Sequence, residues 1–377
     1  MADPDLRLLC TLARIPALDA ASLIAACTAL GDLTALLRAS PATLRAAGVA
    51  PAAAARLAAR LAAPLRRELD QDLAIAHRHS LQLLAATDPR YPSQLLAAIP
   101  TAPAVLWVQG DPQALSAPQI AIVGARRCTA SGAMTARQFA AWFARAGLVV
   151  TSGLARGIDA ASHAGALDAP GQTVAVCAHG LDLTYPAEHG PLAQRIAAQG
   201  ALVSEFPPGT APRRAHFPQR NRLIAGLALG TVVVEAAMKS GSLSTASWAA
   251  DQGREVFAVP GSVHSPVSAG CHRLIRDGAK LVETPEEVLA ELRLPLINQS
   301  LENRSSQAGQ RAIERPRLDK PLEILLDAVG FGPTGVDELV IRTGLPGESV
   351  ASMLLILELE GLIAAEAGGR YSRTPAI

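Results

Sequence analysis

Between Gln119 and Val282 the sequence alternates short apolar runs, most of them next to glycine, with segments whose apolar residues recur at helical spacing. Such short runs fit buried strands, and the segments between them fit the helices that cross from one parallel strand to the next. This pattern predicts an α/β fold with an extended Rossmann-like, doubly wound parallel sheet. The predicted strands are 120–123, 148–151, 174–177, 201–203, 231–235, 255–259 and 279–282. The predicted helices are about 132–146, 158–167, 188–199, 218–228, 242–252 and 269–277.

The segments on either side of this region have other patterns. Residues 1–80 contain short apolar helical stretches separated by glycine turns, which predicts a SAM-like or helix-hairpin-helix-like module or a plain helical bundle. Residues 81–295 make up the predicted sheet domain, in which 81–115 is a connector with some strand. Residues 296–319 lose periodicity and are predicted to be a linker. Residues 320–377 predict three helices, at 321–329, 335–343 and 347–360, followed by a β-hairpin, which is the winged-helix plan.

The net charge of the chain limits the kinds of partner that it could bind through charge alone. A net charge of +1 excludes a protein that is basic throughout, so binding of a polyanion would depend on a local cluster of cations. The five cysteines form no CxxC pair, which predicts reduced thiols in a cytoplasmic protein and no metal site. We find neither a secretory signal pattern nor an uncharged apolar run of membrane-spanning length, so no membrane partner is expected.

Three glycine-containing loops follow predicted strands at 124–127, 152–159 and 240–245, and we call them the carboxyl rim. Ligands of open parallel sheets bind at this edge, and the N–H groups of a following helix favour anions. The alternative is that these loops are ordinary strand-to-helix turns. The first loop lacks GxGxxG and the chain lacks GxxxxGK[ST], which disfavours a nicotinamide dehydrogenase and a P-loop ATPase, and no cofactor is expected. The candidate phosphate-binding residues of the rim are Gly124, Arg126, Ser152, Gly153, Arg156, Gly157, Ser240, Gly241 and Ser242.

The densest basic cluster lies at 213–222, and from it we select Phe217, Arg220, Asn221 and Arg222 as further candidates. Guanidinium groups neutralise phosphates, and an aromatic face can stack on a base. The alternative is a solvated helix start with one core phenylalanine. Because the cations are spread over several loops, a linear backbone fits them better than a single nucleotide.

Two sets of residues could be read as catalytic. Ser152, Asp159 and His163 could form a hydrolase triad, but we expect Asp159 to hold a loop and His163 to be structural. Glu205 and Glu235 each end a strand near the carboxyl rim and could act as acid and base. We expect them instead to pair with arginines of the rim.

These motifs are similar to those of the DprA/Smf family of DNA-processing proteins, in order and with family-like spacing over about 90–285. The most specific stretch is Phe217–Leu227, and His272 stands where the family usually has asparagine, which puts that local contact in doubt. The other matching stretches are Ile122–Arg126, Ser152–Asp159, His163, Gly180–Pro186, Ser204 with Glu205, Ser240–Ser242, Thr245 with Ala246, Gly253–Val256 and Val259–Gly261.

The resemblance implies a Rossmann-like core that binds single-stranded DNA and loads RecA recombinase onto it during DNA uptake, natural transformation and recombination. It further implies a homodimer and a protein without established catalytic turnover. One alternative is a nucleotide or phosphoribosyl hydrolase on a related fold, although the PGGxGT pattern of such proteins is missing at 240–245. Another is a scaffold for recombinase whose contact with DNA is incidental.

The predicted winged-helix module has the wrong charge for a reader of duplex DNA. Residues 320–377 contain four basic and eight acidic side chains, and the third predicted helix carries Glu348, Glu358 and Glu360 without a basic residue. A recognition helix in a major groove needs cations against the phosphates. We therefore expect this module to contact protein or to serve the structure.

Overall fold

The computed structural model describes residues 4–15, 18–62, 66–292, 318–366 and 368–374. The N-terminal region is helical, with a short 3₁₀ helix at Thr34–Arg38. Its helices are α1 (Pro4–Ala13), α2 (Ala20–Leu30), α3 (Pro41–Ala46), α4 (Pro51–Ala62) and α5 (Arg66–Arg78). The SAM-like or helix-hairpin-helix-like assignment stays a prediction, and the predicted linker at 296–319 lies almost wholly outside the described residues.

A nine-stranded sheet forms the centre of the molecule, in the order β1-β2-β6-β5-β4-β3-β7-β8-β9. The seven strands from β3 to β9 are parallel, as the alternation of apolar runs and helices predicts. The strands are β1 (Leu81–Ala85), β2 (Val105–Gly110), β3 (Gln119–Val123), β4 (Val149–Ser152), β5 (Thr173–Val176), β6 (Ala201–Ser204), β7 (Gly230–Val233), β8 (Glu255–Ala258) and β9 (Lys280–Leu281).

Helices connect these strands, and the path of the chain fixes where a ligand can bind. From β3 the chain steps outward to β6 and then returns to place β7 on the other side of β3, so the strand order reverses between β3 and β7. In doubly wound sheets the binding crevice opens at the carboxyl ends of such strands. The helices are α6 (Ser93–Ala98), α7 (Ala130–Arg145), α8 (Ile158–Asp168), α9 (Gly190–Gln199), α10 (His216–Leu227), α11 (Ser242–Asp251), α12 (Ala269–Arg276) and α13 (Pro285–Leu292), with 3₁₀ turns at Pro112–Leu115 and Ala187–His189.

The connector expected at 81–115 is more regular than its sequence suggests. Strands β1 and β2 pair antiparallel with each other, and β2 pairs antiparallel with β6. Helices α1 and α5 contact β1, in which Leu81, Leu83 and Leu84 are buried. One hydrophobic core runs from Leu8 and Leu57 through Trp107 into the sheet. The N-terminal helices therefore pack directly on the sheet domain, and the boundary at residue 80 stays a prediction.

The predicted winged-helix module is confirmed as a separate small core. It contains α14 (Lys320–Val329), α15 (Val336–Thr343) and α16 (Gly347–Leu359). A three-stranded sheet, in the order β10-β12-β11, joins β10 (Thr334–Gly335), β11 (Ile363–Glu366) and β12 (Arg370–Arg373). No single helix in the described ranges is long and apolar enough to cross a membrane; α15 and α16 together have the length and composition but are bent by 109°.

Two ion pairs, one from α1 and one from the residue that follows it, join α5 and allow a matched test of burial. Arg14 donates from Nε and Nη2 to Asp72, both at 2.6 Å, and the Asp72 side chain is 1% exposed. Arg7 pairs with Asp70, whose side chain is 59% exposed. We expect Asp72→Ala to lower the free energy of unfolding by about 3 kcal/mol, because it leaves Arg14 without its partner in a half-buried place. Asp70→Ala should change it by less than about 1 kcal/mol. Urea unfolding measures both, and equal losses would contradict this account.

Candidate functional site

The loop after β4, residues 153–157, is the most tightly held part of the carboxyl rim. Leu154 has a φ of 58°, which residues with side chains rarely adopt, and Gly157 has a φ of 74°. The Asp159 carboxylate accepts hydrogen bonds from the N–H groups of Gly153 (3.2 Å) and Ala155 (3.3 Å). Nδ1 of His189 lies 2.9 Å from the Leu154 carbonyl oxygen. Asp159 thus holds the loop, as its position in the sequence suggests.

Arg220 lies inside the protein, where its guanidinium joins two strand ends. It is 4% exposed, and its Nη1 donates to the carbonyl oxygen of Gly153 at 2.7 Å and to that of Val176. A Cβ atom on Gly153 would meet this guanidinium at 2.6 Å, so a side chain there would have to displace Arg220. Arg220 therefore positions the loop after β4, and its guanidinium does not face solvent as a phosphate ligand would.

Helical periodicity explains this burial. Arg220 shares one face of α10 with Leu223, Ile224 and Leu227, all of which are buried at i+3, i+4 and i+7. Reading 213–222 as one basic cluster overlooks this face. The periodicity of the same residues was the available signal for separating Arg220 from its neighbours.

Asp159 and Arg220 carry opposite charges and are both buried away from solvent. Burial raises the pKa of Asp159, and the charge of Arg220 together with the bonded N–H groups works against that rise. Burial likewise lowers the pKa of Arg220, opposed by the charge of Asp159. Each charge thus compensates part of the desolvation of the other.

Most of the predicted hydroxyl and amide donors already form hydrogen bonds within the protein. Ser152 is fully buried and its Oγ donates to the Ile122 carbonyl oxygen at 2.6 Å. Asn221 donates from Nδ2 to the Gly241 carbonyl oxygen at 3.2 Å, so it braces the third loop of the rim. In that loop the hydroxyls of Ser240 and Ser242 lie 2.7 Å apart, and Gly241 is exposed.

The two strand-end glutamates have different partners. Glu205 pairs with Arg222 at 2.5 Å, and both side chains are about nine-tenths buried. The carboxylate thus pairs with an arginine, as expected, but with one of α10 and not of the carboxyl rim. Arg222 also donates to the Thr101 carbonyl oxygen at 3.1 Å, so it faces the connector. Glu235 was expected to pair with an arginine, but it accepts hydrogen bonds from the N–H (2.9 Å) and Oγ1 (2.7 Å) of Thr129 at the start of α7.

A second group of predicted residues does reach solvent together. Arg126 is exposed and its Cζ lies 5.1 Å from the centre of the Phe217 ring. The Phe217 ring lies 5.8 Å from that of Tyr185, which is 45% exposed. Tyr185 was missed as a site residue because nothing in the sequence places the loop after β5 beside the start of α10. The aromatic rings and the guanidinium together offer flat apolar faces next to positive charge.

Further exposed arginines lie on the loop after β4 and on the segments next to Arg126 and Phe217. Arg156 is 63% exposed and pairs with Glu188, which is 51% exposed, so a ligand can compete for it. Arg127, Arg213 and Arg214 are exposed, and sequence reasoning left them out of the selected candidates although they flank selected residues. We call the following set the cationic surface: Arg126, Arg127, Arg156, Arg213 and Arg214, with Phe217 and Tyr185.

The remaining glycines of the rim serve the packing of one loop on another. A Cβ atom on Gly124 would meet Ile158 at 2.7 Å, and one on Gly157 would meet the Ala125 carbonyl oxygen at 2.3 Å. The Ile158 N–H donates to that same oxygen at 3.2 Å. The first two loops of the rim are thus locked together by close backbone approach.

The residues that could suggest a hydrolase triad are not arranged as one. His163 is fully buried with Nδ1 2.7 Å from the Thr173 hydroxyl, and burial lowers its pKa to about 3. The Ser152 hydroxyl donates to a backbone carbonyl rather than to His163. Within the described ranges no group of three or more His, Cys, Asp or Glu side chains could hold a metal ion.

His272, which stands where the family usually has asparagine, contacts the loop after β8. Its Nε2 lies 3.0 Å from the Gly261 carbonyl oxygen. The side chain therefore braces this loop from α12.

The burial of Arg220 gives a prediction about stability. Arg220→Met should lower the free energy of unfolding by about 3 kcal/mol or more, because it leaves two carbonyl oxygens and Asp159 without their partner. Arg214→Met, at an exposed position in the same basic cluster, should change it by less than about 0.5 kcal/mol. Urea unfolding followed by tryptophan fluorescence measures both. Equal stability of the two variants would mean that Arg220 is not a buried positioning residue.

Comparison with known proteins agrees with the fold and with the motifs of the rim. Residues 82–293 match the family described as DNA recombination-mediator protein A, and residues 311–369 match the DprA winged helix domain. Protein Smf of Escherichia coli is 42% identical over 307 residues, which cover 81% of this chain and 80% of that protein. The DNA processing protein DprA of Streptococcus pneumoniae is 45% identical over 204 residues, which cover 54% of this chain and 72% of that protein.

Two solved structures are similar. DNA processing protein A from Streptococcus pneumoniae gives a TM-score of 0.60 at 38% identity, covering 67% of this chain and 86% of that chain. The protein from Helicobacter pylori, whose structure concerns its single-stranded DNA binding mode, gives 0.51 at 27% identity, covering 59% and 96%. This chain therefore belongs to the DNA recombination-mediator protein A family of DNA-processing proteins, named DprA or Smf, and carries the DprA winged helix domain after its sheet domain.

Proposed function

We propose that this chain binds single-stranded DNA on the cationic surface and mediates the loading of RecA recombinase onto it, in DNA uptake, natural transformation and recombination. The observation that carries the proposal is the cluster of Arg126, Phe217 and Tyr185 beside the carboxyl rim. Four more exposed arginines lie on the segments that carry Arg126 and Phe217 and on the loop after β4. Single-strand binding proteins combine cations that follow the backbone with aromatic rings on which bases stack. The single-stranded DNA binding mode of the related Helicobacter pylori protein supports the same ligand here.

The arrangement favours an extended strand over a single nucleotide. The cations come from the loops after β3, β4 and β6, so their charges are spread along the rim. A mononucleotide could use only part of this set, whereas successive phosphates of a strand could use all of it. The loop after β4 is already fixed by Arg220 and Asp159. Binding would therefore lose less conformational entropy than it would at a mobile loop.

A binding role without turnover is part of the proposal. Ser152, His163 and Asp159, the residues closest to a hydrolytic pattern, are each held by structural hydrogen bonds. We further propose that the protein acts in the cytoplasm as a homodimer, as family membership suggests. The winged-helix module, with no basic residue on α16, is not assigned to duplex DNA.

Salt dependence tests the phosphate contacts. Binding to single-stranded oligonucleotides should weaken steeply with salt, and Arg126→Ala or Arg213→Ala should each reduce the slope of log K against log salt by about 0.7. Oligo-dT and oligo-dA should be affected alike, because phosphates are common to both. Fluorescence anisotropy over a salt series measures the slope.

Arg195 provides the control for these variants. It pairs with Asp168 at the end of α8, on the opposite edge of the sheet from the rim. Arg195→Ala removes the same charge and should leave the slope unchanged. An equal loss of slope in all three variants would point to total charge and not to the cationic surface.

The contact of Arg126 with the Phe217 ring has a matched control in the winged-helix module. Arg373 lies over the Phe331 ring at 5.7 Å, much as Arg126 lies over Phe217. Phe217→Leu should weaken single-strand binding about tenfold, since stacking of one base contributes about 1–3 kcal/mol. Phe331→Leu should leave the dissociation constant unchanged. A gel shift with single-stranded and duplex DNA checks both variants, and unchanged binding by Phe217→Leu would contradict a stacking role.

A further inference from the structure

The winged-helix module touches the sheet domain at one well-defined point. Oε1 of Glu366, the last residue of β11, accepts a hydrogen bond from the Ala130 N–H at 2.7 Å. The Ser372 hydroxyl in β12 donates to the same carboxylate oxygen at 3.1 Å. Both strands of this β-hairpin contact α7, and we call the hairpin, 363–373, the wing. A carboxylate of the wing thus sits on the first turn of α7.

The start of α7 suits an anion. Ala130 is the first residue of the helix, so its N–H has no acceptor within the helix and lies at the positive end of the helix dipole. The N–H of Gly132 is satisfied by the Thr129 hydroxyl at 3.0 Å, and Glu235 holds the N–H of Thr129. In this structure the anion at the Ala130 N–H is the Glu366 carboxylate.

The Glu366 carboxylate lies close to a second carboxylate, that of Glu235, and the two charges repel each other. Burial raises the pKa of Glu235, and the charge of Glu366 adds to that rise. The two negative charges therefore repel each other across the start of α7. Glu366 is held there against this repulsion by the Ala130 N–H, the helix dipole and the Ser372 hydroxyl.

The start of α7 also adjoins the proposed DNA site. The loop of 124–129 connects β3 to α7 and carries the exposed Arg126 and Arg127. Ala130 follows these two arginines by only a few residues. A DNA strand bound to the arginines would therefore pass close to the Ala130 N–H. A phosphate there would meet the repulsion of Glu235 too, but neighbouring phosphates of the same strand would be held by the arginines.

We propose that the first turn of α7 is a binding site for a backbone phosphate of single-stranded DNA, and that the wing covers this site through Glu366 until DNA displaces it. The inference rests on the proposed function, because the ligand is the same strand. The wing belongs to the same chain, so it competes intramolecularly, whereas the strand gains from its contacts with the cationic surface. The acidic module is in this way a displaceable cover at one end of that surface.

The test uses the full chain with Glu366→Ala and the isosteric Glu366→Gln. Hydrogen exchange of the DNA-free proteins should show faster exchange at the Ala130 amide in Glu366→Ala than in the parent. The dissociation constant for oligo-dT should fall about two- to tenfold in Glu366→Ala, with a smaller change in Glu366→Gln, which keeps an acceptor but loses the charge. Adding oligo-dT to the parent protein should speed exchange in the wing.

Glu360→Ala is the matched control, because it removes one negative charge from an exposed position in the same module. It should leave both the exchange at Ala130 and the affinity unchanged. Tighter binding in Glu360→Ala equal to that in Glu366→Ala would overturn the proposal in favour of a general charge effect. Unchanged affinity in both Glu366 variants, or a wing that stays protected with oligo-dT bound, would overturn it as well.

The exchange measurement separates this inference from the proposed function. If the parent protein fails to bind oligo-dT at low salt, the proposed function fails and the competition fails with it, while exchange at Ala130 still reports whether the wing is docked. If the parent binds oligo-dT but Glu366→Ala leaves the Ala130 amide as protected as before, the docking is refuted and the proposed function stands. Should Glu366→Ala unfold the winged-helix module, the same comparisons apply to Glu366→Gln.

Discussion

The buried guanidinium of Arg220 is the interaction on which the carboxyl rim depends. It bonds to carbonyl oxygens at the ends of two neighbouring strands, β4 and β5, and it comes from a helix, α10, that packs against them. A charge in such a place is costly unless it is compensated. Asp159 compensates it while accepting hydrogen bonds from N–H groups of the loop after β4. Removing either charge would leave the other unbalanced, so the strained backbone at Leu154 is supported from both sides.

Much of the fold follows from local sequence patterns, and the exceptions have a common cause. Each parallel strand from β3 to β7 is a short buried run of the kind that fits a sheet covered on both faces, so its position could be predicted. Strand β1 could not, because the helices that bury Leu83 and Leu84 belong to the N-terminal region. The winged-helix plan was predictable because the core of that module is built from contacts close in sequence.

The candidate site was predictable as a region and less so as a set of side chains. Glycines and arginines at strand ends locate the carboxyl rim, since the topology of a doubly wound sheet brings those ends together. Helical periodicity marks Arg220 as buried, but the sequence does not show that Arg222 is paired. Arg222 is paired because the end of β6 brings Glu205 to α10, a contact between residues 17 apart in the chain. Arg220 is buried because of its place on the helix, whereas Arg213 and Arg214 precede the helix and stay exposed.

The distribution of paired and exposed arginines explains how a chain with a net charge of only +1 can have a cationic surface. Carboxylates neutralise the arginines that serve the fold, as in the pair of Glu205 with Arg222, and leave the arginines of the cationic surface without such buried partners. An exposed cationic surface attracts any polyanion. If DNA displaces the wing as proposed, an acidic module held beside that surface raises the number of phosphates that a ligand needs before it binds. Short anions and incidental contacts would then be disfavoured relative to a long strand, because only the strand replaces the wing and occupies the arginines together.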